Sequence, residues 1–327
     1  MQRIVVVGYI GGGNIGDEVC FEVLRKKLTA SAVCDVLEVA RHPLFELLKM
    51  KRRISKADAV VFCGGNLLQN ETSNRSLYYY LKIIRIAKAC GTKVIFASSG
   101  IGRIEGHRHL ARTARALNGA VAFFGARTYN DALRVGAING AKVISMPDLA
   151  FTISRDFRMV REDAFAYVPK TDTCRRGGLF NDAMGELYLR EYVVPFFIKK
   201  DKRLAEAISR REGAELLITS EPEEILRLFG KCRFVVTERA HGAILALISG
   251  TPAFISDREQ KATDLVDEIS RRCKILGIKS PLYLTSELTV EKIKELGACR
   301  SEFKILLDNL RSDTEWGIKH LIDIIEH

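Results

Sequence analysis

Short apolar, β-branched runs alternate along this chain with longer stretches in which apolar residues return every three or four positions. In the first half, "IVVVG" (4–8), "CDVLEV" (34–39), "AVVFCGG" (59–65), "KVIFASSG" (93–100), "VAFFGAR" (121–127) and "KVISMPD" (142–148) predict strands. Helices are predicted between them at 17–30, 42–52, 75–90, 106–117 and 129–136. The second half repeats the scheme with "AFAYVPK" (164–170), "ELLITS" (215–220), "FVVTE" (234–238) and "TPAFIS" (251–256). Its helices fall near 188–211, 222–230, 241–249 and 259–272, and a short strand around "SPLYLT" precedes a helical tail. The stretch "KTDTCRRGGLFNDAMG" (170–185) is polar and glycine-containing, and predicts a loop, open to motion.

Strand–helix alternation of this kind builds α/β architecture, with mostly parallel sheets covered by helices on both faces. At 327 residues the chain exceeds one comfortable core, so two domains are expected. With a boundary around residues 152–163, an N-terminal Rossmann-like domain covers 1–155 and a C-terminal one 156–300, leaving 301–327 as a helical tail. Two such domains place the best ligand site in a cleft between them, at the carboxyl ends of the strands.

Three stretches carry candidate chemistry. "GYIGGGNIGDE" (8–18) follows the first strand and holds G-x-G-x-x-G as Gly11, Gly13 and Gly16, with Glu38 at the distance of a ribose-binding acid. Against a dinucleotide stands Asp17-Glu18, two carboxylates where a pyrophosphate would sit; they also suit the positive end of the following helix. "CGGNLLQNETSNRSLYYYL" (63–81) crowds Asn66, Gln69, Asn70, Thr72, Ser73 and Asn74 into one loop. That density fits a hydroxyl-rich ligand such as a sugar, or a turn with a helix cap. In "VVTERAHGAILALISGTP" (235–252), Arg239 and His241 stand where a strand gives way to a helix N-terminus. Arginine offers a planar fork for phosphate or carboxylate, and histidine a proton near neutral pH.

The net charge of +11 favours phosphorylated partners or an anionic membrane surface. Its clusters, "KMKRRISK" (49–56), "KKDKR" (199–203) and Arg271, Arg272 and Lys274, lack interleaved aromatics, which argues against nucleic acid. Eight cysteines without C-x-x-C or metal-ligand spacing read as reduced thiols of a cytosolic protein with no metal. No leader or membrane-length apolar run stands out, so the expected place of work is the cytoplasm or the membrane's inner face.

Taken together, "GYIGGGNIGDE", "GGNLLQNETSNRSLYYYL" followed by "ASSGIG", "GARTYNDALRVG", "MPDLAF" and "ERAHGAILALISGTPAFIS" resemble the polysaccharide pyruvyl transferase family over roughly residues 4–270. The resemblance implies a GT-B-like pair of domains. It also implies transfer of pyruvate from phosphoenolpyruvate, as co-substrate and with no cofactor, onto two hydroxyls of one sugar, forming a cyclic ketal and releasing phosphate. By that resemblance Arg239, Ala240 and Arg127 bind phosphoenolpyruvate and His241 is the acid. Asp17 is the candidate base, and Gly13, Asn14, Glu18, Gly65, Asn66 and Gln69 line the acceptor sugar. The acceptor is expected to be an N-acetylhexosamine of a surface glycan, such as one anchoring an S-layer, or of its lipid-linked precursor. Here Ala240 replaces the family's central Leu, Arg103 follows "GIG" in place of proline, and "DREQK" replaces a Tyr-Asp-x-Lys pattern around Lys261. The alternatives are a GT-B glycosyltransferase using a nucleotide sugar, a glycan-binding paralogue without activity, and a dinucleotide oxidoreductase.

Overall fold

A computed structural model of the chain describes residues 2–30, 32–37, 43–71, 73–139, 143–153, 160–175, 178–256, 258–296 and 300–327. The chain divides into two compact units. Unit 1 comprises Met1–Gly12, Asp17–Thr152 and Leu310–His327, and unit 2 comprises Gly13–Gly16 and Ile153–Asn309. The glycine motif is therefore shared between them, and so is the final helix.

Unit 1 carries the strands β1 (Gln2–Val7), β2 (Ala32–Leu37), β3 (Ala59–Cys63), β4 (Lys93–Ser99), β5 (Val121–Ala126) and β6 (Val143–Ser145) in the order β2-β1-β3-β4-β5-β6, with every pairing parallel. The helices are α1 (Ile15–Thr29), α2 (Pro43–Ile54), α3 (Asn74–Cys90), α4 (His107–Leu117) and α5 (Tyr129–Asn139). Alternate side chains of each strand go to opposite faces. Val5, Val7, Val60, Phe62, Phe96 and Phe124 pack with α2, α3 and α4, while Ile4, Val6, Val61, Ile95 and Phe123 pack with α1 and the chain's last helix. Phe62, Phe96 and Phe124 stack side by side across β3, β4 and β5 at centroid distances of 4.5 and 4.6 Å. Each such pair adds about 0.5–1.5 kcal/mol beyond its buried area.

Unit 2 carries β7 (Ala164–Val168), β8 (Arg190–Val193), β9 (Glu215–Leu216), β10 (Phe234–Thr237), β11 (Ala253–Ile255) and β12 (Leu282–Leu284) in the order β12-β11-β10-β7-β8-β9, again all parallel. Its helices are α6 (Gly178–Leu187), α7 (Ile198–Glu212), α8 (Pro222–Lys231), α9 (Ala240–Ile248), α10 (Gln260–Leu276) and α11 (Val290–Glu295). The last helix, α12 (Arg300–Glu326), continues into unit 1. There Lys93 Nζ donates to the Ile324 carbonyl (2.8 Å) and Thr314 Oγ1 to that of Pro147 (3.4 Å).

Two predictions need correction. The helix expected over 188–211 is a strand, β8, followed by α7. "EYVVP" is a β-rich run, and Pro195 steers the residue before it away from helical backbone. The loop expected over 170–185 contains α6 from Gly178, whose Phe180 and Ala183 are buried against Phe165 and Tyr167 of β7. Cys20, Cys63, Cys90, Cys174, Cys232 and Cys273 are thiols not joined in disulfides.

Candidate functional site

In unit 1 the chain leaves β3 through Gly64 and Gly65, at φ of +60° and +65°, left-handed backbone that side chains disfavour. The Gly64 amide donates to the Ala97 carbonyl (2.9 Å) and the Gly65 carbonyl accepts from the Gly100 amide (3.0 Å), tying the turns after β3 and β4 together. Asn66 is thereby brought to Arg127, at the end of β5, whose Nη2 donates to Asn66 Oδ1 at 2.7 Å. Arg127 is buried, with Nη1 3.8 Å from Asp148 Oδ2. The buried Asp148 carboxylate accepts from the Cys20 thiol (3.2 Å) and the Ala150 amide (3.1 Å). Burial, and then that carboxylate, push the Cys20 thiol well above its usual range, so it stays a neutral donor.

Asp17 and Glu18 occupy the first turn of α1, where their charge complements the helix dipole. A Cβ on Gly65 would stand 3.8 Å from Asp17 Oδ1, so this carboxylate reaches the glycine turn. Gln69 lies farther along the same loop, against Gly102. Unit 1 thus brings Asp17, Gly65, Asn66 and Arg127 to the carboxyl end of its strands. Other polar residues of the loop are structural. Asn70 Nδ2 donates to Asn74 Oδ1 (2.9 Å) and to the Glu105 carbonyl (3.0 Å), and Ser73 caps α3 through the Ser76 amide (3.1 Å). Glu38 and Thr72 lie outside the described residues.

In unit 2, Asn14 forms an antiparallel bridge with Phe197, and the Ile15 amide donates to the Phe196 carbonyl (3.0 Å). Gly13 lies beside the stem of Lys199. Gly16 meets the His241 ring so closely that a Cβ there would lie 2.0 Å from its Cγ and Nδ1. His241 is half-buried in the first turn of α9, after Arg239 and Ala240. Thr237, ending β10, fixes this junction: its Oγ1 donates to the Arg239 carbonyl (2.9 Å) and accepts from the Arg239 amide (3.0 Å).

The Arg239 guanidinium is gripped by Asp201 from the first turn of α7, through Nε to Oδ2 (3.1 Å) and Nη2 to Oδ1. Asp201 is 2 % exposed and also accepts from the Phe197 amide (2.9 Å). A two-point grip fixes the plane of the fork and leaves its remaining N–H groups to meet an anion.

Glu238 is held by the segment after β7. Its carboxylate accepts from the amides of Lys170 (2.8 Å), Thr171 (2.5 Å), Thr173 (2.6 Å) and Cys174 (2.9 Å), from the Thr171 and Thr173 hydroxyls (3.1 Å each) and from the Tyr167 hydroxyl (3.1 Å). Burial works to raise its pKa, but the backbone bonds from Cys174, Thr171 and Lys170 outweigh that and hold it at about 2. Residues 170–174, part of the stretch read from the sequence as a loop open to motion, are tied to Glu238 by these bonds.

Beside Ala240 and Glu238 a cavity of about 270 Å³ is lined by Lys170, Arg258 and Lys261. Lys170 and Lys261 both pair with Glu259, the latter at 2.7 Å. Burial, then the neighbouring charges of Lys261 and Arg239, bring Lys170 down to about 8. Sequence reasoning missed Asp201 and Lys170 because they stand far from Arg239 along the chain. Only Glu238, next to Arg239, offered a local signal.

The profile of the polysaccharide pyruvyl transferase family matches residues 13–259. The chain belongs to that family. The matched span takes in every site residue named above from Gly13 to His241. No curated protein shows a significant sequence match to this pyruvyl transferase family member. Among solved structures it is similar to UDP-GlcNAc 2-epimerase from Methanocaldococcus jannaschii (13% identity, 98% of this chain and 99% of that one, TM-score 0.59). It is also similar to S. aureus MnaA bound to UDP (11%, 100% and 98%, TM-score 0.58) and Acinetobacter baumannii MurG (12%, 100% and 99%, TM-score 0.52). At these identities the likeness concerns the fold, which is of the GT-B type with two all-parallel sheets.

Proposed function

We propose that this protein transfers the pyruvyl group of phosphoenolpyruvate to a sugar, forming a cyclic ketal and releasing phosphate. The observation that carries the reading is the Arg239-Ala240-His241 junction inside the family-matched span, with its arginine oriented by Asp201 and its histidine seated on Gly16. Arg239, with Lys170 and Lys261 in the adjoining cavity, supplies positive charge for a small, highly charged anion. Arg127 would add a second cation from unit 1.

On this reading His241 gives a proton to the donor's methylene carbon, and positive charge develops at C2. A sugar hydroxyl oxygen bonds to C2 and its proton passes to Asp17. The C2–O bond to phosphate then breaks, the phosphate leaving with the proton Asp17 took, and a second hydroxyl of the same sugar closes the ketal as its proton returns to His241. The acceptor, an N-acetylhexosamine of a surface glycan or of its lipid-linked precursor, would meet Gly13, Asn14, Glu18, Gly65, Asn66 and Gln69.

The named fold relatives include nucleotide-sugar enzymes, so the test sets the two chemistries side by side. Phosphate release from phosphoenolpyruvate is measured against a panel of N-acetylhexosamine acceptors, with UDP-sugars and NAD(P)H in parallel. Acceptor-dependent phosphate release is expected. Turnover of a UDP-sugar with no binding or turnover of phosphoenolpyruvate would overturn the proposal.

A further inference from the structure

The helices α2, α3 and α4 cover one face of the unit 1 sheet, α2 packing on α3 and α3 on α4. Together they carry eleven Lys or Arg residues and one Glu, a balance of +10 in a chain whose total is +11. Nearly all the net charge of the protein is thus gathered on one side of one unit. Of these three helices, only α2 shows its charge in the sequence as a cluster, "KMKRRISK", because α3 and α4 disperse their cations at helical spacing. Packing these helices side by side turns three stripes into a single field.

Lys49, Lys51, Arg52, Arg75, Lys82, Arg85, Lys88, Arg108, Arg112 and Arg115 are all exposed. A groove of about 780 Å³ runs across the three helices, lined by Lys51, Tyr78, Lys82, Arg85, Ile86 and Arg112. Among the described residues, none of those four cations has an ion-pair partner. Lys82 and Arg85, Arg85 and Lys88, and Arg108 and Arg112 stand three or four apart on their helices, where like charges repel. The fold therefore holds this field against its own stability, and a negatively charged surface would relieve it.

We infer that this face docks on a membrane bearing anionic lipid headgroups. Basic side chains spread over amphipathic helices, with apolar residues interleaved, are the chemistry that recognises such a surface. Leu110 is 40 % exposed among the cations of α4, and Ile86 lies in the groove. Among the described residues lining the groove, the one aromatic, Tyr78, is already engaged by Arg112, whose guanidinium lies 5.3 Å from its ring and donates to its hydroxyl (2.7 Å). It offers no free platform for stacking bases, which favours lipid over nucleic acid. No helix among the described residues is long and apolar enough to cross a membrane, so the contact would be peripheral. The inference does not depend on the proposed reaction.

Flotation of the full chain with phosphatidylcholine vesicles, with and without phosphatidylglycerol, tests it. The wild type is expected to float with the anionic vesicles only, and to be released as salt shortens the screening length. Reversal of three groove charges (K82E, R85E and R112E together) should lower partitioning by roughly tenfold or more. The neutral set K82Q, R85Q and R112Q should fall between. An equal reversal on unit 2 (R203E, R210E and K274E) keeps the same total charge and should retain wild-type binding within about twofold. Melting curves of all variants check folding. Three results would overturn the inference: no preference for anionic vesicles, equal losses for the two reversal sets, or capture of duplex DNA by the groove where vesicles are not captured.

Discussion

Gly16→Ala probes the seating of His241 directly. The added Cβ would lie 2.0 Å from His241 Cγ and Nδ1 and 2.4 Å from its Cβ. Ordinary carbon contacts begin near 3.5 Å, so one partner must move by about 1.5 Å. Neither side yields easily: Ile15 is tied to Phe196, and α9 is largely buried. Overpacking of this size costs about 1–3 kcal/mol. The relief partner must be His241→Gly, because alanine at 241 would keep the atom at 2.4 Å. Helix propensity lost with glycine, about 1 kcal/mol, cancels in the double-mutant cycle. Urea unfolding of wild type, G16A, H241G and the double variant should give a coupling of at least about 1 kcal/mol, the double variant being more stable than additivity predicts. On the proposed reaction, phosphate release by G16A should also fall by roughly a hundredfold, as expected for a catalytic group displaced by about 1 Å. Additive stabilities together with near-wild-type turnover in G16A would refute the packing argument.

Other consequences follow from unit 2. Glu238→Gln should destabilise the protein by about 2–3 kcal/mol at neutral pH, since it replaces a carboxylate enclosed by amide donors. Because the folded pKa of Glu238 lies below the unfolded value, its contribution is full above about 4.5 and is lost as pH falls toward about 2. The wild-type advantage over E238Q in urea should therefore shrink on acidification, and a constant gap would contradict the assignment. Asp201→Asn should raise KM for phosphoenolpyruvate several-fold with little change in kcat, because it loosens the Arg239 fork without touching the acid; an unchanged KM would remove Asp201 from donor positioning. Arg239→Ala should weaken donor binding by about 1.5–3 kcal/mol, whereas His241→Ala should abolish turnover and keep donor affinity. Isothermal titration separates the two, and near-wild-type turnover in H241A would exclude His241 from the mechanism. Donor affinity should decline as pH rises through about 8, because an anion favours the ammonium form of Lys170; K170A should flatten that profile.

Hydrophobic periodicity is local, and it sufficed for most strands, most helices and the α/β class. It failed at 188–211, where a strand and a helix meet without a break in apolar character, and at 178–187, where polar residues mask a helix anchored by Phe180 and Ala183. The order of motifs likewise pointed to the family, and the match over 13–259 bears that out. Arg239 and His241 were legible because strand-to-helix junctions leave a pattern in neighbouring residues.

What surrounds them was not legible. Asp201 lies 38 positions from Arg239, and Lys170 lies 68 from Glu238, so no spacing rule links them. The split of "GYIGGGNIGDE" between the two units, and the role of Gly16 as a seat for an imidazole, depend on which chain segments end up adjacent. The same holds for the basic face, in which the visible cluster of α2 joins cations that α3 and α4 disperse along their lengths. Sequence alone determined most of the elements and the chemical types available, because backbone preference and amphipathic period act between near neighbours. Only tertiary packing decided which carboxylate orients which arginine and where the charge is concentrated, because those energies arise between residues that folding brings together.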